Sequence, residues 1–290
     1  MPGIRRSLRV PIAPAWACLC ILLIGGGCAA VGQRSVVRVP LQQAAPPHLS
    51  EGADTRSVLS SVAWAVVNKL GLPLSSPLNA YLYSTEEAFE LGLVTDARIE
   101  TWFAKDQARF AWGVGSYYGI FLREDKLATA PLLTRVGLIA HELMHVSQYE
   151  LAGGRRGTSD QWLREGMAEW ARFRVLEHFG LRSYAESKRR LLQEVRRAGS
   201  IDKFPSLGSL VGNREWTTTQ NQSGRTATYV QAFLAFDLLL ERRGSDAVLD
   251  YFRRFGRLND RAENFQAAFG LPVGQFADEF RAWLSDALRN

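Results

Sequence analysis

Cysteine is missing from nearly the whole chain: the three present, Cys18, Cys20 and Cys28, all fall in the first tenth of 290 residues. A disulfide framework or a thiolate metal site is thereby excluded from the body of the protein. Histidine is almost as scarce, with four in all, His48, His141, His145 and His178. Beyond the N-terminus there is no second long apolar run, no internal repeat and no low-complexity block. The length and the 47% apolar composition suffice for one domain of catalytic size.

The first residues read as an address rather than as a fold. "MPGIRRSLRV" is a basic leader and "AWACLCILLIGGG" an apolar stretch too short to span a bilayer comfortably. The junction "LLIGGGCAAVG" resembles the lipobox of bacterial lipoproteins, with Gly25 where leucine is usual. The resemblance implies removal of residues 1–27, lipidation of Cys28 and, with Ala29 following, an outer-membrane lipoprotein facing the periplasm. Cleavage by ordinary signal peptidase near Ala30, or a retained anchor, are the alternatives. Losing Arg5, Arg6 and Arg9 takes the net charge from +6 to +3, with 32 basic against 29 acidic residues. The remaining basic pairs are scattered, so no nucleic-acid partner is expected.

Residues 28–55, with Pro46-Pro47, lack apolar periodicity and read as a flexible tether, in which His48 is assigned no role. A domain is expected over 56–290. "RSVLSSVAWAVVNKLG" has a helical pattern, "LNAYLYS" alternates as a strand, and "RFAWGVGSYYGIFLRED" reads as a glycine-interrupted strand or hairpin ending near Leu122. From about residue 129 the patterns are helical. The expected class is α+β, with a small N-terminal mixed sheet and a mostly helical C-terminal half.

Half of the histidines sit in "LIAHELMHVSQYEL". Thr129 can cap this helix, Pro131 suits its first turn, Val136, Ile139, Leu143 and Val146 mark a buried stripe, and Gly153-Gly154 end it. At 3.6 residues per turn His141 and His145 share a face and can meet one metal ion, with Glu142 to the side, in reach of a water there. The next helix, "SDQWLREGMAEWARFRVLEHFG", is capped by Ser159 or Asp160 and closed by Gly180, and it places Glu165 and Glu169 one turn apart on an apolar-rich face. Two carboxylates there need compensation, which a cation supplies. Glu165 then reads as third ligand and Glu169 as the acceptor that holds a ligand histidine.

"HELMH" followed by "WLREGMAEW" resembles the gluzincin metallopeptidases, in particular the aminopeptidase-N and leukotriene-hydrolase branch and its smaller peptidase MA-like relatives. Arg164 stands where that branch has asparagine, and one extra residue separates His145 from Glu165. The resemblance implies a thermolysin-like zincin domain, Zn2+ as cofactor, and His141, His145 and Glu165 as its ligands. "TATYVQAFLAFDLLLERRG" resembles the tyrosine-bearing segment of the same branch, which implies that Tyr229 faces the metal.

The implied activity is hydrolysis of a peptide bond in a peptide or protein substrate, with Glu142 as base and Tyr229 stabilising the oxyanion. "YYGIFL" resembles the edge strand on which such enzymes lay an extended substrate. Nothing resembles the G-x-M-E-N motif that holds a free α-amino group, so internal bonds of envelope proteins or peptides are the expected targets. A catalytically weak zinc-bearing scaffold in envelope assembly, or another zinc hydrolase, are the alternatives.

Overall fold

In a computed structural model, residues 32–41, 49–155 and 157–289 are described, and Cys28 and His48 lie outside them. The described chain belongs to one compact unit, Gly32–Asn290. It opens with strand β1 (Arg34–Val39), then helix α1 (Thr55–Asn68), strand β2 (Leu78–Tyr83), and helices α2 (Glu86–Thr95) and α3 (Thr101–Phe110). A hairpin follows, β3 (Gly113–Ser116) and β4 (Gly119–Arg123), and after it every regular element is helical: α4 (Glu124–Leu127), α5 (Leu132–Leu151), α6 (Gln161–His178), α7 (Tyr184–Ala198), α8 (Asn213–Ser223), α9 (Arg225–Arg254), α10 (Arg261–Phe269) and α11 (Val273–Arg289). This is a mixed α/β fold with a small mixed sheet and a mostly helical remainder, as its residue patterns predict.

The sheet order is β1-β2-β4-β3, with β2 parallel to β4 and the other pairs antiparallel. Alternation along the strands sends Leu78, Ala80 and Leu82 of β2, with Ile120 and Leu122 of β4, into the main core beside α1 and α5. Tyr83 and Phe121 point the other way, into a smaller core under α2 and α3. The four apolar residues of the α5 stripe, Val136, Ile139, Leu143 and Val146, are all buried.

Three expectations are corrected. Residues 34–39 are not tether: they pair with β2 from Arg34↔Tyr83 to Val39↔Leu78. The segment before α1 is also tied down, because buried Arg135 donates to the carbonyls of Glu51 and Ala53. The start of α5 is not capped by Thr129: Pro131 holds the cap position without a side-chain bond, and Glu51 Oε2 accepts from the Leu132 N–H at 2.9 Å. Lastly, "YYGIFL" is not an edge. Its strand, β4, lies between β2 and β3, and the free edge on that side belongs to β3.

Candidate metal centre

Helices α5, α6 and α9 pack side by side and bring the candidate residues together. Their closeness depends on glycine: a Cβ on Gly166 would sit 2.3 Å from the Ala232 carbonyl oxygen of α9, next in sequence to Glu165. On the other flank, a Cβ on Gly115 of β3 would lie 2.0 Å from the Glu142 carbonyl oxygen and 3.0 Å from His145 Cβ. The sheet edge is thereby pressed against the histidine-bearing turns of α5.

One ligand atom each from His141, His145 and Glu165 lies within 4.8 Å of the others. Glu165 Oε2 is 3.3 Å from His141 Nε2 and 3.7 Å from His145 Nε2. That buried oxygen forms no well-aligned hydrogen bond, while its partner Oε1 accepts from Gln161 Nε2 at 2.7 Å. The two imidazole side chains are only 12% exposed. A converging pair of nitrogens and an unsatisfied carboxylate oxygen is a donor set suited to a divalent cation such as zinc.

Each donor is held from behind. His141 Nδ1 is 2.9 Å from Glu169 Oε1, and Glu169 is itself braced by Arg172 at 3.3 Å. His145 Nδ1 is 3.0 Å from Gln148 Oε1, and Gln148 Nε2 donates to the Arg164 carbonyl at 2.9 Å. With both Nδ1 atoms engaged, both Nε2 atoms face inward. Burial pulls the pKa of His141 down, yet the Glu165 and Glu169 carboxylates outweigh it and lift the group to about 10. Burial opposes ionisation of Glu165, but the two imidazoles draw it well below the usual carboxylate range. Glu169 is lowered too, with burial overcome by Arg172 and His141. The carboxylates around the two imidazoles thus favour positive charge in the pocket.

Glu142 stands outside this ring of donors. Its Oε2 accepts from the Gly115 N–H at 2.8 Å, so the carboxylate is pinned to the β3 edge beside the pocket. Tyr229, on the first turns of α9, has its ring centroid 6.0 Å from that of His141, with Trp216 packed edge-on behind it at 5.3 Å. Burial, then the nearby Glu165, raises its hydroxyl pKa.

Compared with protein-family models, with curated proteins and with solved structures, the chain matches none. The functional reading therefore rests on the residues and their geometry. All six of the described candidates, His141, Glu142, His145, Glu165, Glu169 and Tyr229, fall in one neighbourhood. Gln148, Gln161, Arg172 and Gly115 were not anticipated. The first three lie at helical spacings from residues that were: three after His145, four before Glu165 and three after Glu169. That spacing is a signal the sequence contains. Gly115 has none, because its bond to Glu142 spans 27 residues.

Proposed function

We propose that this chain is a metal-dependent peptidase of the gluzincin type, with a thermolysin-like zincin domain and Zn2+ held by His141, His145 and Glu165. The observation that carries the reading is the unsatisfied Glu165 Oε2 set against two imidazole Nε2 atoms whose far nitrogens are already engaged. Bound there, a zinc ion supplies Lewis acidity, bringing the pKa of water to about 7 and polarising a carbonyl.

The chain's own groups supply the rest. An extended peptide can add to the free β3 edge by backbone pairing, which places an amide beside Glu142. Glu142 accepts a proton from the attacking water and returns it to the departing nitrogen, its carboxylate aimed by the Gly115 N–H. Tyr229 donates to the carbonyl oxygen as negative charge develops on it. Internal peptide bonds are the favoured target. We assign the protein to the bacterial envelope as a lipoprotein, on the residues around Cys28. No described helix is long and apolar enough to cross a membrane.

The test is turnover of an unbiased peptide library by the wild type and by Glu142→Gln, with metal content measured in both. Hydrolysis that tracks metal and vanishes in the variant supports the reading. A metal-replete wild type that cleaves nothing moves the protein to the scaffold alternative.

A further inference from the structure

Helix α3 is turned inside out. Its fully buried residues are two alanines, Ala104 and Ala108, while Trp102 is 71% and Phe110 61% exposed. A helix on a protein surface normally buries its large apolar side chains and presents polar ones. Here the order is reversed, and Trp112, just beyond the helix, extends the exposed aromatic set at 37%. Lys105 and Arg109, also exposed, stand between Trp102 and Phe110 along the helix. Neither has a carboxylate partner among the described residues. The Arg109 guanidinium lies over the Phe110 ring at 5.5 Å. Exposed Glu100, which accepts from the Trp102 indole N–H, and half-buried Asp106, four residues from either ring, balance these two cations. Exposed aromatic rings among charges of both signs is the composition of a surface that sits at a lipid headgroup layer.

Where the chain enters the fold points to the same occupant. Arg34, the first residue of β1, pairs with Asp96, the residue that ends α2. Trp102 follows Asp96 by six residues. Cys28 precedes Arg34 by six, a stretch of at most about 20 Å of extended chain. A lipid on Cys28 would therefore keep the bilayer within reach of the α2–α3 connection and of the ten-residue helix beyond it.

We propose that the outward face of α3, centred on Trp102 and Phe110 with Lys105 and Arg109, docks on a phospholipid bilayer and holds the anchored domain in a fixed orientation. The proposal rests on the lipoprotein reading above. In it the anchor supplies residence at the membrane, and α3 supplies orientation. The β3 edge begins three residues after Phe110, so docking here sets the candidate substrate cleft at a defined height over the membrane.

The test uses the full chain as the cell makes it, its N-terminus defined by mass spectrometry, in vesicles of phosphatidylethanolamine and phosphatidylglycerol brominated in the acyl chains. Wild-type tryptophan emission is expected to be quenched, and Trp102→Phe to lose most of that quenching while keeping its metal content. Phe110→Ser should restore iodide access to Trp102 on plain vesicles. Equal quenching in wild type and Trp102→Phe would overturn the docking face. So would shielding of Trp102 from iodide by peptide but not by vesicles, which assigns the aromatics to substrate. The mass of the N-terminus reports separately on the anchor: an unacylated chain still quenched through Trp102 refutes lipidation and retains the docking surface.

Discussion

Glu169 Oε1 lies 2.9 Å from His141 Nδ1, one helical turn beyond the carboxylate that faces Nε2 of the same ring. A single imidazole is thus held between two carboxylates of α6, one behind it and one beside it. The two glutamates are equally buried, at 7% exposure, and they meet opposite nitrogens of that ring. Their substitutions should differ accordingly.

Glu165→Ala, like His141→Ala and His145→Ala, is expected to abolish stoichiometric zinc, since each removes a donor. Glu169→Ala and Gln148→Ala should retain the metal with affinity lower by about ten- to a hundredfold, because they orient the imidazoles rather than bind the ion. Competition titration with a chromophoric chelator measures both. If Glu169→Ala proves the more severe of the two glutamate variants, the roles are exchanged.

Glu142→Gln preserves size, and its amide oxygen can still accept from the Gly115 N–H, so fold and metal should survive. It cannot take up a proton at neutral pH, and hydrolysis should fall to background. Tyr229→Phe should be milder, losing roughly a hundred- to a thousandfold in kcat with KM little changed, as for removal of one oxyanion donor. Progress curves on the best library peptide compare them. Wild-type turnover by Glu142→Gln, with contaminants excluded, removes the proposed base.

Gly115→Ala and Gly166→Ala test the packing that assembles the site. Neither added methyl group has room, since backbone oxygens stand 2.0 and 2.3 Å from where it would go. Forcing such contacts typically costs about 1–3 kcal/mol, so both variants should shift the urea midpoint downward. Only Gly115→Ala should also displace Glu142, lowering activity at unchanged zinc occupancy in the folded fraction. Unchanged midpoints for both would mean that these elements are farther apart than described.

Asp160 gives the fold a pH dependence of its own. It is fully buried, accepts from the Tyr251 hydroxyl at 2.8 Å, and meets Arg261 at 3.4 Å. Burial raises its pKa from 3.8 to about 6, against the pull of Tyr251 and Arg261. A raised carboxyl favours the protonated fold. Its contribution is complete below pH 3.8 and lost as the pH rises through about 6, on the order of 2–3 kcal/mol in all. Asp160→Asn, which never ionises, should therefore gain stability relative to wild type between pH 4.5 and 7.5. Urea unfolding in chelator at both values tests this, and parallel profiles for the two proteins would refute it.

Cys28→Ser should abolish incorporation of a palmitate analogue and change membrane fractionation. Label retained in the variant, or wild type recovered free in the periplasm, overturns the lipoprotein reading. A truncation for solution work should begin near Gly32 rather than at 56, since the later start discards β1 and the Glu51 and Ala53 contacts to α5.

Much of the site was legible because its parts repeat at helical spacing. His141 and His145, or Glu165 and Glu169, share a face for reasons internal to one helix, and an apolar stripe such as Val136, Ile139, Leu143 and Val146 shows where that helix lies. The class of the fold was legible for the same reason: periods of two and of 3.6 residues are local properties. What stayed hidden depends on pairing. The run Arg34–Val39 carries only weak alternation, and pairing with the edge of β2 makes a strand of it.

The sequence by itself determined α1, the helical character of the chain from about residue 129, the two histidines and two glutamates that share faces of α5 and α6, and a glycine-interrupted strand or hairpin ending near Leu122, since these are local periodicities of the backbone. Tertiary structure decided which strand is the free edge, that Glu142 is aimed by the Gly115 N–H, that Glu51 caps α5 from 81 residues away, and that α3 shows its aromatics to the outside. Each of these joins groups far apart in the chain, and the free energy of such a contact exists only once packing of the core has met the entropy of closing the loop between them.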